Sequence, residues 1–120
     1  MYTEIGDADG YMAMLASARW EDHGPHQVSQ RLDIDWPGAE YAVLFRLPPG
    51  GHLYRHADEG YAIHIPLETN DEVVSLSFED GVRTEHHLAV GKAYRTDRSI
   101  EHESFNAGLT NRTHLVVVLA

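Results

Sequence analysis

The sequence predicts a mainly β fold, a closed double sheet of the jelly-roll or cupin-like type that is preceded by a short helix. From Tyr41 onward, about eight short β-rich stretches alternate with turn signals at near-regular spacing, which is typical of such barrels. One turn, Glu79-Asp80-Gly81, places an Asp-Gly pair between two of these stretches and predicts a hairpin. The chain has 120 residues, which suits one domain with one core.

The first forty residues differ from the rest and predict a helix and loops packed on the barrel. Asp7 is a capping residue type for a helix over residues 8–19, whose Met and Leu side chains share one face. Residues 21–30 and 33–40 carry Gly-Pro and Pro-Gly pairs and predict loops. We therefore expect a single domain, 1–120, in which residues 41–119 form the β core.

The predicted strands follow one another with turn residues between them. They are Tyr41–Leu47, Leu53–Asp58, Tyr61–Leu67, Glu72–Phe78, Val82–Ala89, Ala93–Thr96, His102–Ala107 and Thr113–Leu119.

Composition excludes several classes of function. The chain has no cysteine, so disulfides, thiolate zinc sites, iron–sulfur clusters and cysteine nucleophiles are excluded. A formal charge of −10 argues against nucleic acid as a partner. No apolar run reaches the roughly 20 residues of a membrane helix, and the acidic N-terminus does not resemble a signal peptide. We expect a soluble, cytoplasmic protein whose nine histidines supply any metal ligands.

His56 and Asp58 form a His-x-Asp pair at the end of a predicted strand. Side chains at i and i+2 of a strand leave the same face, so both can reach one ion. His102 begins a late strand that barrel closure can bring beside them. Two imidazoles and a carboxylate suit Fe(II) and leave three coordination positions open. Zinc also suits such ligands, but a hydrolytic zinc enzyme has no need of the anchor described next.

Arg112 lies at the start of the last apolar stretch, after a turn that folds it back against the stretch containing His102. A guanidinium there can bind the far carboxylate of a dicarboxylic acid through two parallel hydrogen bonds, which lysine cannot reproduce. His64 lies in an apolar strand, where an imidazole needs a partner, and it is a candidate helper for Arg112.

Several short motifs, taken in order, resemble the aspartyl/asparaginyl β-hydroxylase-like oxygenases, a family that includes bacterial free-proline hydroxylases. The similarity covers roughly Tyr41 to Leu119. The motifs are Leu47-Pro48-Pro49-Gly50-Gly51, His56-Ala57-Asp58, His64-Ile65-Pro66-Leu67 and His102-Glu103, followed by Asn106 and Arg112.

The resemblance implies a double-stranded β-helix and an Fe(II)- and 2-oxoglutarate-dependent dioxygenase. It implies iron ligation by His56, Asp58 and His102, and binding of the 2-oxoglutarate carboxylate by Arg112 with help from His64. Two departures are visible. Ala62 stands where family members often carry arginine, and the chain is shorter than typical members. The first departure leaves the usual carboxylate contact and the usual substrate open. The second means that elements closing over the substrate are either missing or supplied by a partner subunit.

The predicted function is therefore hydroxylation of a C–H bond in an amino acid, a peptide side chain or a small metabolite. Dioxygen is the second substrate, and a homo-oligomer is left open. The alternatives are a non-catalytic cupin-like binding domain and a metal-dependent isomerase or lyase on the same barrel. Four arginines are candidates for binding an anionic substrate, and the sequence does not rank them: Arg46, Arg55, Arg95 and Arg98.

The remaining histidines are interpreted as surface or hydrogen-bonded structural residues: His23, His26, His52, His86, His87 and His114. Asn106 is either a support for His102 or a cap for the turn that follows it.

Overall fold

A computed structural model describes all of residues 1–120 and consists of two antiparallel sheets and a single helical turn. None of its helices has the length and apolar character that crossing a bilayer requires. The elements are β1 (Tyr2–Asp7), α1 (Met14–Ser17), β2 (Trp20–Asp22), β3 (Gln27–Ser29), β4 (Ala39–Leu47), β5 (His52–His56), β6 (Tyr61–Glu68), β7 (Val73–Glu79), β8 (Val82–His86), β9 (Lys92–Asp97), β10 (Glu101–Asn106) and β11 (Arg112–Leu119).

The strands alternate between the two sheets along the chain, which is the jelly-roll arrangement. The large sheet has the order β1-β9-β6-β11-β4-β3-β2, and the small sheet has the order β5-β10-β7-β8. From β4 onward the chain crosses from one sheet to the other at almost every connection. The exception is β7–β8, a hairpin within the small sheet. The predicted mainly β, jelly-roll or cupin-like class is confirmed.

The β7–β8 hairpin forms where the Asp-Gly pair predicts it. Glu79 pairs with Val82, and the two residues between them have positive φ, 52° for Asp80 and 77° for Gly81. A two-residue turn of this type needs positive φ at both central positions, which Asp tolerates and Gly adopts without strain. The two residues therefore fix the register of the hairpin.

The prediction of a helix over residues 8–19 is wrong, because only Met14–Ser17 is helical. Asp7 does not cap it; Asp7 ends β1 and binds Lys92 of β9 at 2.6 Å. Gly10 has a φ of 91°, which interrupts any helix at that point. Pairing of β1 with β9 in the large sheet thus prevails over the local helical pattern.

The prediction of a continuous loop over residues 21–30 is also wrong. β2 and β3 form a hairpin around Gly24, whose φ is 84°, and β3 adds to the edge of β4. The first forty residues therefore contribute three strands to the large sheet.

The apolar core lies on the outer face of the large sheet, between that sheet and the N-terminal segment. Leu44, Ile65, Leu115 and Val117 are fully buried there. Partly buried side chains of the N-terminal segment pack over them: Tyr11, Met14, Leu15, Ala18, Trp20, Leu32, Ile34 and Trp36. Because side chains alternate along a strand, the opposite face of the same strands points at the small sheet.

The face between the two sheets carries buried polar side chains beside apolar ones. β11 points Arg112 and His114 inward, and both are at most 2% exposed. From the small sheet, Ser75 and Ser104 face them, and the hydroxyl of Ser104 donates to that of Ser75 at 3.3 Å. The interior between the sheets is therefore suited to polar chemistry, since the outer face already holds the apolar core.

Two histidines, His114 buried and His64 partly buried at the cavity wall, link β6 to β11 between the sheets. His64 Nδ1 and His114 Nδ1 lie 3.0 Å apart, so one ring donates to the other. Burial, with Arg112 nearby, lowers the pKa of His64 to about 3 and that of His114 well below its usual value. Both rings are therefore neutral at physiological pH.

Replacing Leu115 by alanine should destabilise the fold by about 2–5 kcal/mol, because the cavity would lie in the centre of the outer core. The matched control is Leu109→Ala, since Leu109 is 94% exposed. Urea denaturation of both variants measures the difference. Equal free energies of unfolding in the two variants would show that the apolar core does not lie where the structure has it.

Acid should destabilise the protein through the histidine pair. In the unfolded state the two imidazoles take up protons below a pKa of about 6.5, whereas in the folded state they do not. The free energy of unfolding therefore keeps its full value above that pH and falls as the pH drops below it. For each buried histidine the loss is about 1.4 kcal/mol on going from about pH 7.5 to about pH 5.5.

His114→Gln should therefore shrink the pH-dependent loss of unfolding free energy by about 1.4 kcal/mol. His87→Gln, at a side chain 79% exposed, is the control and should leave the loss as in the wild type. The same loss in His114→Gln as in the wild type contradicts the assignment of neutral buried rings.

Candidate functional site

A cavity of about 440 Å³ opens between the two sheets, and all five side chains predicted as the site line it. His56, Asp58 and His102 come from the small sheet and the turn beside it. His64 and Arg112 come from the large sheet. Residues separated by up to 56 positions in the chain, Arg112 and His56, thus share one cavity.

His56 and His102 are directly opposite one another on neighbouring strands. His56 ends β5 and pairs with His102 in β10, and the centres of the two rings are 4.4 Å apart. The register of β5 with β10 shifts between His102 and Ser104. Such an irregularity re-aims side chains at the rim of a barrel.

Asp58 does not belong to the strand, contrary to the expected strand over Leu53–Asp58. β5 ends at His56, and Asp58 lies in the following turn, where its backbone N–H donates to the carbonyl of Arg98 at 2.8 Å. Its side chain comes near His56 through this turn and not through strand alternation. Asp58 Oδ2 lies 3.4 Å from His56 Nε2.

The backbone fixes which nitrogen of each ring is free. His56 Nδ1 donates to the carbonyl of Tyr54 at 2.6 Å, and His102 Nδ1 donates to the carbonyl of Ile100 at 2.7 Å. In the neutral rings Nε2 then carries a lone pair. Burial lowers the pKa of His102, which favours the neutral form. Metal-ligating histidines are oriented by hydrogen bonds of this kind.

The three donors fit a divalent metal ion by their chemistry. His56 Nε2 and a carboxylate oxygen of Asp58 lie 3.4 Å apart, and in the neutral ring both present lone pairs that a cation between them would bind. The three side chains do not converge on one point as they stand. Asp58 is 55% exposed in its side chain, so it is free to turn toward both rings. Two imidazoles and a carboxylate are a ligand set that suits Fe(II).

Arg112 is a buried charge without a counter-ion. It is 2% exposed, its Nε has no hydrogen-bond partner, and no carboxylate lies within salt-bridge distance. Burial lowers the pKa of Arg112 to about 10, so it stays protonated at neutral pH. An unpaired buried charge costs several kcal/mol by general estimates. The cavity therefore has a strong preference for an anion at this end.

His64 lies beside Arg112 on the cavity wall, with His114 behind it. His114 is buried and hydrogen-bonded, in agreement with its interpretation as a structural residue. Asn106 holds the turn that precedes β11: its Nδ2 donates to the carbonyls of Leu47 and Thr110, and its Oδ1 accepts from Gly108 N–H. Of the two roles considered for Asn106, the structure shows turn capping.

Tyr2, Ser104 and Arg31 are among the cavity residues that were not predicted as site residues. Tyr2 in β1 packs edge-on against His64, with ring centres 5.8 Å apart, and no sequence signal marks it because β1 was not predicted. Ser104 follows His102 on the inner face of β10, and strand alternation alone would have found it. Arg31 stacks on Tyr41 with its guanidinium carbon 3.9 Å from the ring centre.

Of the four spare arginines, the structure brings only Arg98 to the cavity. Ala62, at the position where relatives often carry arginine, is fully buried on β6 between Thr96 and Val118. The backbone N–H of Arg98 donates to the carbonyl of Gly60 at 3.1 Å, close to the start of β6.

Comparison with solved structures shows the same fold in several proteins. A Pseudomonas putida prolyl-4-hydroxylase superposes with a TM-score of 0.71 at 15% identity, over 98% of this chain and 91% of that chain. A Burkholderia pseudomallei oxidoreductase of the 2OG-Fe(II) oxygenase family gives a TM-score of 0.70 at 15% identity, over 89% and 76%. The Drosophila melanogaster CENP-C cupin domain gives 0.64 at 10% identity, over 93% and 84%.

No curated protein matches the sequence significantly. A family model does match: residues 26–120, well over half of the chain, fit the model of the aspartyl/asparaginyl beta-hydroxylases. This stretch contains the three histidines, the aspartate and the arginine predicted as the site. The protein therefore belongs to the aspartyl/asparaginyl beta-hydroxylase family.

Proposed function

We propose that this protein is an Fe(II)- and 2-oxoglutarate-dependent dioxygenase that hydroxylates a C–H bond. The observation that carries the proposal is Arg112, an unpaired buried guanidinium in the same cavity as two histidines and an aspartate. A metal-binding protein without a dicarboxylate ligand gains nothing from that charge. Family membership and the shared fold support the same reaction class.

His56, Asp58 and His102 would hold the iron through two Nε2 atoms and a carboxylate oxygen. Bound there, Fe(II) would supply activation of dioxygen, with one oxygen atom passing to the substrate as hydroxyl and the other to succinate as 2-oxoglutarate loses carbon dioxide. The hydrogen bonds to Tyr54 and Ile100 keep both imidazoles in the tautomer that exposes Nε2.

Arg112 would bind the distal carboxylate of 2-oxoglutarate through two parallel N–H···O bonds. The dianion would then relieve the uncompensated charge that the fold buries. This contact would also orient the co-substrate, because its keto-acid end would then point across the cavity to the metal held by the three ligands.

His64 would assist as a neutral donor. If His114 Nδ1–H donates to His64 Nδ1, the remaining proton of His64 is on Nε2 and is available to a carboxylate oxygen. Burial keeps the pKa of His64 low at about 3, so the ring adds a hydrogen bond without adding a second charge beside Arg112.

The cavity also has an apolar side that limits water. Val43, Phe45, Val116 and Val118 of the large sheet line this part of the cavity. In such surroundings the charged contacts of Arg112 are stronger than in water.

The second candidate function is a cupin-like domain that binds a ligand or partner without turnover. The similarity to the CENP-C cupin domain is the observation that favours it. That similarity concerns the fold alone. The two functions differ in whether Arg112 serves 2-oxoglutarate, so the variants below separate them.

His102→Ala should abolish stoichiometric Fe(II) binding, because it removes one of two imidazoles from a three-donor set. His52→Ala is the matched control, since His52 lies on the outer face of the small sheet near Glu103, with 3.6 Å between His52 Nε2 and Glu103 Oε2. Anaerobic calorimetry with both variants measures the affinity for iron. Wild-type affinity in His102→Ala would remove this histidine from the metal site.

Arg112→Lys should keep the charge but lose the paired hydrogen bonds to 2-oxoglutarate. Because a charge-assisted contact contributes about 1.5–3 kcal/mol, 2-oxoglutarate should bind roughly 10- to 100-fold more weakly. Iron affinity should stay close to that of the wild type. Arg112→Ala should weaken the binding of 2-oxoglutarate at least as much. Pyruvate lacks the distal carboxylate and should therefore bind the wild type and both variants with similar affinity.

Arg95→Lys is the control for this series, since Arg95 stacks on Tyr61 at the outer face of the large sheet, 4.0 Å from the ring centre. Titration of each keto acid into the iron-loaded proteins, followed by succinate release, gives both readouts. Equal 2-oxoglutarate affinity in the wild type and Arg112→Ala would contradict the proposed role of Arg112 and favour the non-catalytic cupin function.

A further inference from the structure

The cavity carries more positive charge than the proposed reaction uses. Three arginines line it, Arg31, Arg98 and Arg112, but only one carboxylate, Asp58. This excess stands inside a protein whose formal net charge is −10. A local cationic surface in an acidic protein favours an anionic ligand.

A charge balance shows which arginines remain. If the proposed function holds, a divalent ion and Arg112 together carry three positive charges. Asp58 and the 2-oxoglutarate dianion carry three negative charges and balance them. Arg31 and Arg98 are then left without counter-charge in the same cavity.

Arg98 is the better placed of the two. Its Nη2 donates to the carbonyl of Glu59 at 2.7 Å, which pins the guanidinium, while its buried Nε has no partner. Arg31 is exposed and stacked on Tyr41 at the rim. The spare arginines that lie outside the cavity have partners: Arg46 contacts Trp20 and Glu68, and Arg55 contacts Phe78 and Glu101.

The position of Arg98 relative to the metal donors is fixed by the backbone. Its carbonyl accepts from Asp58 N–H at 2.8 Å, so Arg98 and the turn that carries Asp58 form one unit. Arg98 lines the same cavity as His56 and His102. The backbone bond therefore keeps it next to the turn that carries the carboxylate donor.

One wall of the cavity is apolar. Tyr41, Val43 and Phe45 of β4 and Val116 and Val118 of β11 line it. A ligand that spans from Arg98 to this wall needs an anionic group at one end and a carbon body at the other. Held at both ends, its carbon body would lie beside the metal donors.

We propose that Arg98 determines substrate specificity by binding the carboxylate of a small substrate whose apolar carbon body packs on the wall of β4 and β11. The inference rests on the proposed function and names the substrate class of the same site. A guanidinium matches a planar carboxylate by geometry as well as charge. An uncharged peptide side chain leaves Arg98 uncompensated and is disfavoured.

The test uses Mn(II) in place of iron, with saturating 2-oxoglutarate. Isocaproate and hydrocinnamate are the probes, each compared with its primary amide, which has the same shape and no charge. Paramagnetic broadening of the probe protons in solution reports binding close to the metal and requires no turnover. Arg98→Gln is the test variant, and Arg95→Gln, three residues earlier on the outer face, is the control.

The wild type and Arg95→Gln should broaden the proton resonances of the two acids and leave those of the amides unchanged. Arg98→Gln should bind the acids roughly 10- to 100-fold more weakly, since one charge-assisted contact is lost. Its affinity for 2-oxoglutarate should equal that of the wild type, which shows that the cavity is still formed.

Equal broadening of acid and amide, or no broadening of either acid by the wild type, would overturn the inference. So would wild-type binding of the acids in Arg98→Gln, or tighter binding of isoamylphosphonate than of isocaproate. Loss of 2-oxoglutarate binding in Arg98→Gln also overturns it, because Arg98 would then serve the co-substrate. Failure of the proposed function is distinct, since 2-oxoglutarate would then bind independently of Arg112.

Discussion

The burial of Arg112 between the sheets is the constraint on which the site depends. A guanidinium can remain buried without a partner only if other parts of the fold supply the stability, because its desolvation is unfavourable by several kcal/mol. That stability comes from apolar burial on the outer face of the large sheet, where Leu44, Ile65 and Leu115 are fully buried under the N-terminal segment. Separation of the apolar core from the polar interior therefore makes the charged cavity possible.

The same separation explains the order of residues along β11. Leu115 and Val117 face the core, whereas Arg112 and His114 face the interior. Strand alternation imposes this division, so a shift of register by one residue would bury the charges against the core and expose the apolar set. Pairing of β11 with β4 on one side and β6 on the other holds the register and so protects the site.

Part of this could be predicted from the sequence, because the signals were local or lay in motifs that resemble a known family. The Asp-Gly turn identified the β7–β8 hairpin, and the positions of His56, Asp58, His102 and Arg112 identified four side chains that meet in one cavity. The N-terminal segment could not be predicted in this way. A helical pattern is visible over residues 8–19, but pairing of β1 with β9 depends on residues about ninety positions away. Because β1 was not predicted, the position of Tyr2 beside His64 was not predicted either. Only the folded structure distinguishes Arg98 from the other spare arginines.

The central claim is that one cavity holds iron and 2-oxoglutarate together. The most direct measurement is an anaerobic titration of 2-oxoglutarate into the iron-loaded protein, followed by visible absorption. The account predicts a weak charge-transfer band that saturates with 2-oxoglutarate and is absent in His102→Ala. Iron that binds tightly in the wild type without any such band at saturating 2-oxoglutarate would contradict it.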